Sequence, residues 1–116
     1  KRIAHWQQIA ISACEQSGRI DVPCIHEPEA LESWTQNTRT EAKLVLHPHQ
    51  TKPLASQATP SSCALLIGPE GGLTQQEVEQ AQTQGYTGLS LGPRILRAET
   101  APLAALTLLQ YTWGDL

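Results

Sequence analysis

The chain has 116 residues, the length of a single domain that buries roughly two-thirds of the surface exposed by its unfolded form. It contains no Phe or Met, so its core must consist mostly of Leu, Ile, Ala and Val, and its apolar runs are far shorter than the ~20 residues of a membrane-spanning helix. The formal charge of −3 argues against a general nucleic-acid-binding surface, because such surfaces neutralise phosphates with Lys and Arg.

The cysteines indicate the redox environment of the protein. Cys14, Cys24 and Cys63 are odd in number and widely spaced, which is not the pattern of a disulfide framework. We therefore expect a reducing compartment and a cytoplasmic location.

The first part of the chain predicts two helices with an extended piece between them. Apolar residues recur with helical spacing over 3–17, and Gly18 predicts the end of that helix. Residues 19–25 predict a short extended segment. The acidic residues around Pro28 predict the first turn of a second helix, which ends at about Asn37.

Two apolar runs in the middle of the chain predict strands. These are residues 43–47 and residues 63–67, and the unbroken apolarity of the second predicts burial on both faces. The intervening stretch, 48–62, is rich in Pro, Ser, Thr and Gln, which is typical of an exposed loop.

The last part of the chain alternates helix and strand again. Thr74 and Glu77 form a capping-box pattern for a helix that ends before Gly85. A strand over 87–91 and a final helix over 99–113 complete the pattern. This alternation predicts an α/β fold with a mainly parallel sheet flanked by helices.

Two of the predicted strands run into glycine-bearing loops, one ending at Gly72 and one starting at Gly92. A strand that stops at glycine allows the backbone to approach a flat ligand closely. Neither loop has the Walker A or the dinucleotide-binding pattern, so phosphate chemistry is disfavoured. A tight strand-to-helix turn explains the first loop taken alone, but the presence of both loops favours a cofactor pocket.

In the second loop an apolar pair lies between two arginines. The apolar pair Ile95 and Leu96 suits one side of a purine slot, and the flanking Arg94 and Arg97 suit an anionic or electron-rich partner. The alternative is that Arg97 and Glu99 form a surface ion pair, or that Glu99 is a carboxylate at a helix start.

Four potential metal ligands occur as two close pairs, Cys24 with His26 and His47 with His49. Their spacing matches no established zinc site, so scattered surface residues are the better interpretation. We expect no metal site.

Two long motifs make a resemblance specific. Residues 66–74 read Leu-Ile-Gly-Pro-Glu-Gly-Gly-Leu-Thr, and residues 91–101 read Leu-Gly-Pro-Arg-Ile-Leu-Arg-Ala-Glu-Thr-Ala. With the upstream motifs at 14–19 and 22–23, the chain resembles the ribosomal small-subunit methyltransferase E family of the SPOUT superfamily over essentially its whole length.

This resemblance implies a fold, a cofactor and a substrate. The fold would contain a deep C-terminal trefoil knot through which two copies form a homodimer. The cofactor would be S-adenosylmethionine and the reaction methylation of N3 of a uridine in the 16S rRNA of the small ribosomal subunit. If the family's cofactor-binding loops are matched to this sequence, the resemblance implies the following cofactor-binding residues: Leu46, His47, Pro48, Ile67, Gly68, Pro69, Glu70, Gly71, Gly72, Leu91, Gly92, Ile95 and Leu96.

The chemistry of uridine methylation suggests roles for four charged residues. N3 carries a proton at neutral pH, and arginine cannot remove it because arginine stays protonated. Arg94 or Arg97 would instead donate hydrogen bonds to the uracil oxygens as negative charge develops. Glu99 would be the base or would orient those arginines. Arg19 would contact RNA or the partner subunit's site, although a solvated residue at a helix end is the alternative for it.

Full-length members of the family are about twice as long and carry an N-terminal PUA-like RNA-binding domain. We therefore expect residues 1–116 to be the C-terminal part of the methyltransferase domain, without that RNA-binding domain and without the start of the catalytic domain. Methylation of rRNA is then expected only with those segments present. The alternative function is a noncatalytic knotted module for binding or dimerisation.

Overall fold

The computed structural model describes residues 2–47, 58–91 and 96–114. The predictions made for Pro48, Gly92, Arg94 and Ile95 lie outside the described residues. The chain divides into two compact units, Lys1–Ala30 and Leu31–Leu116.

The first unit consists of helix α1 (Arg2–Ser17) and an extended segment. The helix ends before Gly18 as predicted, and the Arg19 backbone N–H donates to the carbonyl of Cys14. The Gln7 side chain holds the extended segment, since its Nε2 donates to the Pro23 carbonyl at 3.0 Å and its Oε1 accepts from the Ile25 N–H at 2.9 Å. These bonds satisfy backbone groups that a lone extended segment would leave unpaired.

The second unit contains the sheet and three helices. In chain order its elements are α2 (Leu31–Asn37), β1 (Ala42–Leu46), β2 (Cys63–Leu66), α3 (Gln75–Thr83), β3 (Thr87–Leu89) and α4 (Ala101–Trp113).

Helix α2 begins later than the sequence predicts. The prediction placed its first turn around Pro28, whereas the helix runs from Leu31 to Asn37. Glu27 directly precedes Pro28, and a residue before proline is disfavoured in helical conformation. Leu31 and Trp34 lie three residues apart and pack against the core, and these contacts decide where the helix begins.

The three strands form a parallel sheet in the order β2-β1-β3, which confirms the predicted α/β class and the parallel pairing. In the register of the sheet, Val45 of β1 lies opposite Leu66 on one side and Gly88 on the other. The central position of β1 explains why Leu44 and Val45 are 1% and 0% exposed.

Helices cover both faces of this sheet. On one face, Val45, Ala64 and Leu66 pack with Ala81 of α3, and α2 adds Leu31 and Trp34. On the other, Leu44 and Leu89 pack with Ala105 of α4. Because neighbouring strand residues point to opposite faces, the apolar runs of β1 and β2 supply both cores. The predicted burial of β2 on both faces is confirmed for one face only: Ala64 and Leu66 are buried, whereas Cys63 and Leu65 on the other face are partly buried.

Apart from the start of α2, the helices and strands start and end close to the predicted positions. The capping box of α3 is present, with the Thr74 hydroxyl accepting from the Glu77 N–H and the Glu77 carboxylate accepting from the Thr74 N–H. Helix α4 begins at Ala101 rather than at residue 99. The strands end before His47, Ile67 and Ser90, short of the predicted ends, although the His47 N–H still donates to the Leu89 carbonyl at 2.9 Å.

Among the residues that the structure describes, no helix is both long enough and apolar enough to cross a membrane.

Candidate functional site

The carboxyl ends of the three parallel strands lie at one edge of the sheet, and the chain leaves this edge in different directions. The connection after β2 leads to α3 on one face, whereas the chain after β3 leads to α4 on the other. Diverging connections at the carboxyl ends of parallel strands leave a crevice, which is where open α/β sheets bind ligands. A cavity of about 430 Å³ lies there, within the size range of small-molecule sites.

The first glycine loop forms one wall of this cavity through a tight turn. The Gly72 N–H donates to the carbonyl of Pro69 at 2.8 Å, and Gly72 has a φ of 76°, which disfavours any residue with a side chain. A Cβ at Gly68 would lie 2.8 Å from the backbone nitrogen of Leu73, too close to be accommodated. The loop therefore needs glycine at both positions to fold back on itself.

Ten of the residues predicted to bind the cofactor line this one cavity. The remaining three, Pro48, Gly92 and Ile95, lie outside the described residues. The lining from the prediction consists of Leu46, His47, Ile67, Gly68, Pro69, Glu70, Gly71, Gly72, Leu91 and Leu96. The structure thus brings together three segments that are far apart in sequence, and their role toward a cofactor stays a prediction.

Four further residues line the cavity that the sequence did not single out as binding residues: Leu73, Ser90, Ala98 and Ala101. Each lies within or beside a motif that was recognised, and the two alanines belong to the second motif. For Ala98 the sequence offered a signal, because Ala98 lies two residues after the predicted binding residue Leu96. Both line the cavity, whereas Arg97 between them does not.

Two of the predicted catalytic residues, Arg97 and Glu99, are close in sequence to residues that line the cavity but do not line it themselves. Arg97 and Glu99 are exposed, and neither belongs to the lining. The described part of the chain shows no ion pair between them, so the interpretation as a surface ion pair is not supported. The Arg97 carbonyl accepts from the N–H groups of Thr100 and Ala101 and so shapes the turn into α4.

The two other predicted catalytic residues are Arg94 and Arg19. Arg94 lies outside the described residues. Arg19 is an exposed residue of the first unit, just after α1, and its backbone completes the helix end.

The described residues also bear on metal binding. No group of three or more His, Cys, Asp or Glu side chains able to hold a metal ion occurs within 2–47, 58–91 or 96–114. The Cys24 Sγ lies 4.0 Å from the His26 Nδ1 on the exposed segment of the first unit. His47 lines the cavity, and His49 lies outside the described residues.

The chain matches the model of the RNA methyltransferase domain family over residues 1–110. It is 42% identical over 118 residues to ribosomal RNA small subunit methyltransferase E of Buchnera aphidicola, a match that covers 100% of this chain and 48% of that protein.

Solved structures agree with this relationship. The ribosomal RNA small subunit methyltransferase E of Neisseria gonorrhoeae, bound to S-adenosylmethionine, is 43% identical with a TM-score of 0.93, covering 99% of this chain and 49% of that one. A Legionella pneumophila protein with bound S-adenosylmethionine is 40% identical with a TM-score of 0.91, covering 99% and 48%. The chain spans about half the length of these relatives.

These similarities confirm the family resemblance that the two glycine motifs indicated. The match to the family model extends over the helix of the first unit as well as over the sheet and the cavity. The chain therefore belongs to the RNA methyltransferase domain family.

Proposed function

We propose that this chain is the cofactor-binding and catalytic part of an S-adenosylmethionine-dependent methyltransferase that modifies N3 of a uridine in 16S rRNA. The observation that carries the proposal is the cavity at the carboxyl ends of β1, β2 and β3, which is lined by residues of both signature motifs. The relatives solved with S-adenosylmethionine support the cofactor, and the name of the Neisseria relative supports ribosomal RNA as the substrate.

The residues of the cavity fit this cofactor. Leu46, Ile67, Leu91 and Leu96 give an apolar lining that suits the adenine ring, and the backbone of the glycine loop offers N–H and C=O groups without intervening side chains. A bound S-adenosylmethionine supplies an electrophilic methyl group on a sulfonium sulfur. No redox change or metal is required for the transfer of that methyl group.

The side chains proposed for catalysis act on the uridine. Arg97, exposed and without a described side-chain partner, is proposed to donate hydrogen bonds to uracil oxygens that gain negative charge when N3 loses its proton. Arg94 is proposed to share this role. Glu99, two residues after Arg97, is proposed to accept the N3 proton or to orient an arginine. Placement of the uridine against the methyl donor supplies a further part of the acceleration.

RNA recognition is proposed to require more than this acidic chain. Arg19 is a candidate contact to RNA or to the partner subunit's site. An N-terminal PUA-like domain of the full-length protein is proposed to supply most of the basic surface. The reaction would take place in the cytoplasm, where ribosomes are assembled.

We further propose that the second unit contains a trefoil knot and forms a homodimer through it. Helix α4 supports the dimer, because it carries no charged residue and exposes Leu103 and Leu106. Apolar side chains clustered on one exposed helix are typical of an interface rather than of a surface that stays in water.

Cofactor binding is tested by calorimetric titration of the 116-residue chain with S-adenosylmethionine. Saturable binding with one site per chain is expected. A folded chain that binds no S-adenosylmethionine would contradict the proposal at its first step.

The reaction is tested with the full-length protein and unmodified small ribosomal subunits. Mass spectrometry of nucleosides should detect 3-methyluridine, and Arg97→Ala should lower kcat by about 10²–10³ while changing cofactor affinity little. Methylation of a ribose 2′-hydroxyl would refute the N3 assignment. Cofactor binding without any methyl transfer would favour the noncatalytic module.

A further inference from the structure

The wall of the cavity carries little charge. Of its fourteen lining residues, all within the described part of the chain, only His47 and Glu70 have ionisable side chains. Arg97 and Glu99 are exposed and lie outside the lining. Glu70 is therefore the one acidic group that the described wall of the cavity presents.

Glu70 belongs to the cavity lining, and the described contacts give its side chain no structural role. Glu70 occupies the turn closed by the hydrogen bond from Gly72 to Pro69, and the turn dictates its backbone position. Within the described residues its carboxylate takes part in no hydrogen bond or ion pair. The acid that caps the following helix is Glu77, so Glu70 is not needed for that purpose.

The capping box also affects the electrostatics of the cavity. A helix amino terminus carries partial positive charge, which would disfavour a cationic ligand nearby. At α3 this charge is offset by the Glu77 carboxylate, which accepts the Thr74 N–H at 2.8 Å. The Glu70 carboxylate is then free to favour a cation in the cavity.

Methyl transfer changes the charge of the cofactor. S-adenosylmethionine carries a sulfonium, an ammonium and a carboxylate, so its net charge is positive. When the uridine N3 forms its bond to the methyl carbon, the electrons of the broken carbon–sulfur bond stay on sulfur. The N3 proton passes to the base. The product S-adenosylhomocysteine is a thioether with no net charge.

We propose that Glu70 is a specificity-determining residue that makes the cavity bind the sulfonium cofactor in preference to the thioether product. This inference rests on the proposed function, because it requires that the cavity hold S-adenosylmethionine. Its consequence is weaker product inhibition, since the bound ligand loses its attraction to the wall in the same step that forms the product.

The size of the effect is limited by solvent. Glu70 is exposed, so water and salt screen its interaction with a charged ligand. We expect the carboxylate to change the ratio of the two dissociation constants by about three- to tenfold at low ionic strength, and less in high salt.

The experiment is a calorimetric comparison of three ligands on the 116-residue chain. The ligands are S-adenosylmethionine, S-adenosylhomocysteine and sinefungin, in which a carbon bearing a protonated amine replaces the sulfonium. The test variant is Glu70→Gln. The matched control is Glu79→Gln, which removes the same charge from an exposed position on α3, outside the cavity lining.

The expected result is that Glu70→Gln weakens binding of both cationic ligands about three- to tenfold and leaves S-adenosylhomocysteine unchanged, whereas Glu79→Gln alters none of the three. Equal effects on all three ligands, or no effect, would overturn the inference and leave the proposed function intact. A folded parent chain that binds no S-adenosylmethionine would overturn both.

A second measurement does not depend on the folding of a variant. With the parent chain, raising the salt concentration should weaken binding of S-adenosylmethionine more than binding of S-adenosylhomocysteine. An identical salt dependence for the two ligands would contradict an attractive charge in the wall of the cavity.

Discussion

Two loop–helix segments leave the same edge of the sheet, and their helices meet their surroundings differently. Helix α3 turns Gln and Glu side chains outward and carries a complete capping box. Helix α4 has no charged residue, and its Leu103, Leu106 and Tyr111 are 70%, 52% and 76% exposed. Its N-cap residue, Thr100, makes no side-chain capping bond. The surface of α3 is suited to water, whereas that of α4 is suited to contact with another protein surface.

The two segments also contribute differently to the cavity. The first supplies a tight turn of backbone and the Glu70 carboxylate, while the described part of the second supplies small or apolar side chains, Leu96, Ala98 and Ala101. One wall is thus defined by backbone geometry and the other by side-chain size. Three substitution experiments and one chemical modification experiment test these differences, beginning with the largest expected effect.

Gly68→Ala should disrupt the wall that backbone geometry defines. The new Cβ would lie 2.8 Å from the Leu73 nitrogen and 2.9 Å from the Gly72 carbonyl carbon, so the turn must move. We expect a loss of about 1–3 kcal/mol in the free energy of unfolding, measured by urea titration, and weaker binding of S-adenosylmethionine.

Gly71→Ala is the matched control in the same turn. A Cβ at Gly71 meets no heavy atom of the protein within 4 Å, so its effect on stability should stay within about 0.5 kcal/mol. Equal destabilisation by the two variants would show that the turn does not depend on the close approach at Gly68.

Leu103→Glu and Leu106→Glu should weaken the proposed dimer. Each places a charge on the exposed apolar surface of α4, and burying an unpaired charge in an interface is costly. The dimer dissociation constant, measured by sedimentation velocity, should rise by at least roughly tenfold. Gln76→Glu on α3 adds the same charge to an exposed position and should have no effect. A parent chain that is monomeric at high concentration would refute the dimer.

Thr74→Ala and Thr100→Ala compare the starts of the two helices. The Thr74 hydroxyl accepts the Glu77 N–H at 3.1 Å, so its removal should cost about 1 kcal/mol in the free energy of unfolding. Thr100 makes no side-chain capping bond, so its removal should change stability by less than about 0.5 kcal/mol. Equal losses in urea titrations would contradict the difference between the two caps.

The reactivity of the Cys63 thiol reports how well helix α4 covers the face of the sheet on which Cys63 lies. Burial raises the pKa of this thiol, so less of it is the reactive thiolate at neutral pH. Iodoacetamide should modify Cys63 at least roughly tenfold more slowly than the exposed Cys24, with rates converging in guanidinium chloride. The rates are measured by mass spectrometry of peptides. Equal rates in the native protein would mean that α4 does not cover the face of the sheet on which Cys63 lies.

Much of the fold follows from local patterns. The helix over Arg2–Ser17 and the capping box at Thr74 depend on residues close in sequence, and both are present. The predicted start of α2 was wrong by several residues, because the contacts of Leu31 and Trp34 with the core, which is distant in sequence, decide where the helix begins. Where a long-range contact decides the boundary, the local pattern predicts that a helix is present but not the residue at which it begins.

The site shows the same division. The glycine motifs and the resemblance indicated the residues of the loops, and ten of them line one cavity. The sequence did not indicate that Leu73 and Ser90 join that wall, or that Arg97 and Glu99 stand outside it. Residues 98–100 form a turn closed by hydrogen bonds to the Arg97 carbonyl, so a motif identifies a segment without telling which of its side chains line the cavity.

By itself, the sequence determined the class of fold, the glycine turns and the family, because these depend on residue type and spacing within short segments. The tertiary structure alone decided which segments share an edge. Parallel pairing in the order β2-β1-β3 brings the ends of three strands together, and helices on opposite faces open the crevice between their loops. Such a crevice arises from contacts between distant residues, which no local pattern records.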